Sequence, residues 1–150
     1  MLIFAWGNPS RGDDALGPAL VERIAAARPT HPEWGELALL TDFQLQPEHA
    51  LDLDGHGRVL FVDASVSCAS PFVFDRLRPQ PGFGYTTHAM QPEALLAVFR
   101  QVTGREPPPA WLLTIRGHAF ELGEPLGAAA QAHLPAAIAF VESFLAGEAV

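Results

Sequence analysis

Residues 58–64 constrain the fold more than any other stretch. Arg58-Val59-Leu60-Phe61-Val62-Asp63-Ala64 sets four consecutive apolar residues before an aspartate, behind the turn Asp54-Gly55-His56-Gly57. An apolar run without polar alternation reads as a strand buried on both faces, the habit of parallel sheets. Met1 to Trp6 has the same character and runs into turn residues at Gly7, Asn8 and Pro9. Ligands of open α/β sheets gather at the carboxyl ends of such strands, so Asp63 stands where a site is expected.

The remaining elements follow in order. Ser10-x-x-Asp13 resembles a capping box, with Asp in place of the usual Glu, ahead of a helix over roughly 14–27 whose apolar positions are Leu16, Leu20, Val21 and Ile24. Pro18 falls in its first turn, where proline is tolerated, and Pro29 ends it. Glu36 to Thr41 reads as a second strand, and Gln46-Pro47-Glu48 opens a short helical segment reaching Leu53. Pro71 to Leu77 reads as an edge strand. Pro92 starts a helix to about Val102, buried through Leu95, Leu96 and Phe99. Pro107-Pro108-Pro109 is a rigid connector to a strand over Trp111 to Ile115, and Leu126 to Leu145 carries a long alanine-rich helix. The order β-α-β-α-β-β-α-β-α predicts one α/β domain over 1–150: a three-layer sandwich with a mostly parallel five-stranded twisted sheet and helices on both faces.

Composition narrows the partners. A chain of 150 residues with 49% apolar content buries a sizeable core as one domain. The formal charge is -8, and the nine basic residues are all scattered arginines, which argues against nucleic acid. An acidic surface suits a divalent cation or a partner segment carrying Arg or Lys. No apolar run is expected to reach the roughly 18 residues of a membrane span, and the short apolar start, with no basic region before it, is not expected to be a leader. The single cysteine, Cys68, rules out an internal disulfide and fits a reducing cytoplasm.

Three polar positions lie at or beyond strand ends: Asp13/Asp14 after the first strand, Asp63 at the end of the third, and His88 before the second long helix. If the first and third strands are neighbours, Asp14 and Asp63 come together, and His88 closes the set from a loop. Two carboxylates and an imidazole with open positions suit a first-row divalent ion.

Gly7-Asn8 … Gly12-Asp13-Asp14-x-x-Gly17-Pro18, Gln46-Pro47-Glu48, Leu60-Phe61-Val62-Asp63-Ala64, Thr86-Thr87-His88-x-Met90 and Arg116-Gly117-His118-x-Phe120-Glu121-Leu122-Gly123-Glu124-Pro125-Leu126 together resemble the maturation endopeptidases of [NiFe] hydrogenases. The resemblance covers nearly the whole chain. Its last segment looks like the branch serving cytoplasmic, NAD-coupled or bidirectional enzymes. The resemblance implies a cytoplasmic, monomeric peptidase of aspartate or metallo type. It would cut a C-terminal extension from the immature hydrogenase large subunit once nickel is inserted. Nickel would arrive on the substrate and be bound transiently by Asp14, Asp63 and His88, which would also carry catalysis; no permanent cofactor, nucleic acid or membrane is expected. Asn8, Asp13 and His118 are the candidate substrate contacts. Two departures stand out. Ala15 replaces the usual glycine, which is harmless if it lies in a helix start, and Asp14 stands where many members have glutamate.

Each residue also has a plainer reading. Asp13 caps a helix, Asp14 is a first-turn charge, Asp63 caps a turn, and His88 is a solvated loop histidine. His118 can serve substrate or fold, while His31, His49, His56 and His133 read as surface residues. Gly7 to Gly12 is no phosphate loop, because it lacks the Gly-Lys-Ser/Thr ending. Two other functions compete: a metal-sensing chaperone that binds the immature subunit without cutting it, and a hydrolase built on Cys68, with His88 and Asp63 as its partners. No cysteine-protease signature surrounds Cys68, and a loop or buried thiol is the plainer reading.

Overall fold

The computed structural model describes residues 1–81 and 90–148. Five strands form one sheet in the order β2-β1-β3-β5-β4. They are β1 (Leu2–Trp6), β2 (Ala38–Asp42), β3 (Val59–Ser65), β4 (Phe72–Leu77) and β5 (Ala110–Arg116). All pairings are parallel except that of β4 with β5. The first and third strands are therefore neighbours, as the site requires, and β4 lies at an edge. Among the described residues three α-helices flank the sheet: α1 (Leu16–Ala27), α2 (Pro92–Thr103) and α3 (Ala128–Leu145).

The pleat sorts the apolar residues into two cores. Ile3 and Ala5 of β1, Leu60, Val62 and Ala64 of β3, and Leu113 and Ile115 of β5 face α1 and α3. Leu2, Phe4, Trp6, Val59 and Phe61 face the other way, onto Leu45, the short 3₁₀ helix Pro47–Leu53, and Leu95, Leu96 and Phe99 of α2. Both faces of β1 and β3 are covered, which explains why their sequences show no alternation.

Two expectations need correction. The first helix does not begin at position 14: Gly12–Ala15 forms a 3₁₀ turn that leads into α1 at Leu16, and neither start carries a side-chain cap. The helix at 128–145 is long and apolar enough, by length and composition, to cross a membrane, contrary to the expectation that no segment is. Its apolar character comes largely from alanines, and Ala130, Leu134, Ala137, Ile138, Val141, Phe144 and Leu145 form the face buried on the sheet.

Candidate functional site

The site begins where β1 ends. Gly7 adopts φ +148°, and a Cβ there would lie 2.0 Å from the carbonyl oxygen of Asp14. Only glycine lets the chain leave the strand and pass this close to the following turn. The backbone N–H of Asn8 then donates to Oδ2 of Asp14 at 2.7 Å, and Oδ1 of Asn8 accepts from the backbone N–H of Ser10 at 2.9 Å. Gly17 does related work one helical turn later. A Cβ there would stand 3.1 Å from the Trp6 carbonyl oxygen and 3.3 Å from that of Val62. Its absence lets the start of α1 settle onto the ends of β1 and β3, bringing Asp14 over the sheet's carboxyl edge. Ala15 has ordinary right-handed helical geometry (φ -76°, ψ -5°), so the missing glycine causes no strain there.

Below Asp14 the last row of one sheet face is polar. The register pairs Leu2 with Ala38 and Val59, Phe4 with Leu40 and Phe61, and Trp6 with Asp42. With side chains alternating along each strand, Asp42, Trp6 and Asp63 continue these rows on the α2 side of the sheet. All three line an open cleft of about 810 Å³, with Asn8, Arg11, Asp14, Gln46 and Phe120 among its other walls.

The electrostatics of this cleft are unfavourable to its own charge. Burial pushes the Asp63 carboxyl up to about 7; the charge of Asp14 pushes the same way, against the Ala64 N–H and the Trp6 side chain, which favour the ionised form. The N–H of Ala64 donates to Oδ1 of Asp63 at 2.8 Å. A desolvated carboxylate facing a second carboxylate favours a proton or a cation between them. Oxygen donors of this kind suit a divalent ion that keeps further positions open for other ligands. Among the described residues no three His, Cys, Asp or Glu side chains form a ready-made metal cage. His88 lies outside the described residues.

The other sequence candidates fall elsewhere. Asp13 is neither a helix cap nor a cleft residue. It is 2% exposed, and its carboxylate takes three backbone N–H groups: His118 at 2.7 Å and Ala119 at 3.2 Å on Oδ2, and Gly127 at 2.8 Å on Oδ1. Burial opposes ionisation, but those three donors and the nearby His118 outweigh it and hold the carboxyl below its ordinary value. Asp13 thus ties the N-terminal turn to the 117–127 loop and to the residue preceding α3, with no surface left to offer a substrate. The ring of His118 is exposed and packs near that of His133, 5.5 Å between centroids, while its backbone serves Asp13.

Cys68 does not line the cleft. Its thiol points to the Ser65 and Thr114 carbonyl oxygens, and burial raises its pKa despite the neighbouring Arg116. A thiol held protonated is a poor nucleophile, which argues against a cysteine hydrolase. His49, expected at the surface, is 7% exposed and hydrogen-bonded to Asp42. Asp42 and Trp6 are cleft residues that sequence reasoning missed. The second strand was expected to stop at Thr41, one residue short of the aspartate that shares its row with Asp63.

No protein-family model and no curated protein matches the chain. Solved structures do. The [NiFe] hydrogenase maturation protease HycI from Thermococcus kodakarensis superimposes with TM-score 0.70 at 18% identity, covering 97% of this chain and 92% of that one. The hydrogenase maturating endopeptidase HybD from E. coli gives TM-score 0.69 at 18% identity over 97% and 93%. A hydrogenase 3 maturation protease gives TM-score 0.67 at 22% identity over 99% and 90%. The chain has their fold, end to end, as the sequence motifs led one to expect.

Proposed function

We propose that this protein is a peptidase of hydrogenase maturation, removing a C-terminal extension from the immature large subunit after nickel has been inserted. The observation that carries the reading is the meeting of Asp14 and Asp63 in one open cleft, on a fold shared over almost its whole length with such endopeptidases. Asp14, Asp63 and His88 are the proposed ligands of the substrate's nickel, His88 by its motif alone. They are also the proposed catalytic set.

In this reading nickel is part of the substrate. The precursor presents the ion with positions free, and the two cleft carboxylates occupy them, so docking is both electrostatic and geometric. Asp14 is held for this by the Asn8 N–H, and Asp63 by the Ala64 N–H. A cation there also relieves the repulsion and desolvation that keep Asp63 from ionising freely. The docked scissile carbonyl then lies against the open part of the cleft, where a water can attack it. The enzyme works as a cytoplasmic monomer, with no metal of its own and no nucleic-acid or membrane partner.

The test is to mix the purified protein with nickel-loaded precursor and with nickel-free precursor, and to follow release of the C-terminal peptide by mass spectrometry. Release only from the nickel-loaded form supports the reading. A stable complex without release would make the protein a chaperone instead.

A further inference from the structure

The carboxylate of Asp42 is the third in the cleft, and it is held unlike the other two. Its Oδ1 accepts from the Phe43 backbone N–H at 2.7 Å. Its Oδ2 lies 2.9 Å from Nε2 of His49. The other ring nitrogen, Nδ1, accepts from the Gln46 backbone N–H at 2.9 Å. A nitrogen that accepts carries no proton, so in the neutral ring the proton is on Nε2 and is donated to Asp42. The ring is fixed further by its edge-to-face contact with Phe4, 4.7 Å between centroids at 84°. His49 and Asp13 are the buried polar side chains among the described residues, and Asp13 is spent on backbone N–H groups. A buried histidine locked in one tautomer beneath a half-exposed carboxylate is a device for aiming that carboxylate.

We infer that Asp42 is the general base of the proposed cleavage and that His49 is its positioning residue. The inference rests on the peptidase reading given above. Asp14 and Asp63 are engaged with the substrate's cation there, and Asp13 is sealed in the fold, which leaves Asp42 as the cleft carboxylate free to take a proton. It sits two strands from Asp63, across β1, roughly 10 Å between backbones. Trp6 stands between them in the row, and the open cleft that all three line is where a peptide segment and a water would lie. The water's oxygen bonds to the scissile carbonyl carbon while its proton passes to Asp42. Collapse of the tetrahedral adduct breaks the C–N bond, and the proton passes from Asp42 to the departing amine. Each carboxylate oxygen still has a lone pair beyond those used by Phe43 and His49, so aiming and proton transfer are compatible.

The experiment compares wild type, Asp42→Asn, His49→Phe and His49→Gln on nickel-loaded precursor, measuring kcat and KM for peptide release and complex formation by gel filtration. Asp42→Asn is expected to keep the complex and KM while kcat falls about 100-fold or more, the usual scale for losing a general base. His49→Phe keeps the packing on Phe4 but not the donor, and is expected to lower kcat about tenfold with KM unchanged. His49→Gln restores an N–H towards Asp42 and is expected to recover part of that loss, which a merely structural role would not produce. Asp42→Asn at wild-type kcat, or with its loss entirely in KM or in complex formation, would overturn the inference while leaving the peptidase reading intact. If His49→Phe fails to fold, Asp42→Asn still decides, because that side chain is at the surface of the cleft. A wild type that releases no peptide overturns the peptidase reading and this inference with it.

Discussion

The backbone N–H of Asn8 donates to Oδ2 of Asp14 across 2.7 Å, so the turn that ends β1 holds the carboxylate that follows it. The turn can do this because Gly7 passes against the Asp14 carbonyl. Gly7→Ala would place a methyl 2.0 Å from that oxygen and force a left-handed backbone on alanine. We expect the substitution to destabilise the protein by about 2 kcal/mol, the scale of a strained backbone position. Peptide release is expected to fall at least tenfold even at temperatures where the variant is folded. Urea denaturation and the cleavage assay check the two parts separately.

Asp13 holds the fold together across more than 100 residues of sequence. Removing its carboxylate strands three backbone N–H groups, so Asp13→Ala is expected to cost about 3 kcal/mol. The pH dependence has a definite sign. Asp13's folded pKa lies below its ordinary 3.8, so its contribution is present above that value and is lost as pH falls through the folded one. Acid titrations of stability should therefore show a steeper loss below pH 4 in wild type than in Asp13→Asn. Equal slopes would contradict the assignment.

Asp63 has the opposite sign. Its folded pKa, about 7, lies above 3.8, so the stability linked to its protonated form is complete below 3.8 and is lost as pH rises through 7. Asp63→Asn mimics the protonated side chain. Free of metal, it is expected to be more stable than wild type at pH 8 by about 4 kcal/mol and little different at pH 4. The same variant is expected to release no peptide. Melting temperatures at both pH values, set beside activity, would show whether this position trades stability for function.

Cys68 is predicted to be dispensable. Cys68→Ser should cleave within about twofold of wild type, and the native thiol should react slowly with a thiol reagent at pH 7, because burial keeps it protonated. A cleavage-dead Cys68→Ser that still folds would restore the cysteine-hydrolase alternative.

What was legible in the sequence follows from what each signal measures. The apolar runs of β1 and β3 are buried on both faces, so their composition announced both the strands and the parallel sheet. Asp63 was visible because it interrupts such a run, and Asp14 because it sits in a dense motif. Asp42 was not, because β2 has partly exposed residues and its pattern fades before the aspartate. His49 looked like a surface residue because a polar side chain in a short helix usually is one. Its burial depends on Phe4 from β1 and on Asp42, which local pattern does not bring together. Asp13 was read as a cap from neighbours three residues away, whereas its true partners lie more than 100 positions along the chain.

The most direct test of the central claim is peptide release from nickel-loaded precursor by wild type, Asp14→Asn and Asp63→Asn, each first shown to be folded. The account predicts stoichiometric release by wild type, none by either variant, and loss of the nickel-dependent complex in both. Release by the two variants at wild-type rate would contradict it, because the meeting of those carboxylates in the cleft would then have no part in the reaction.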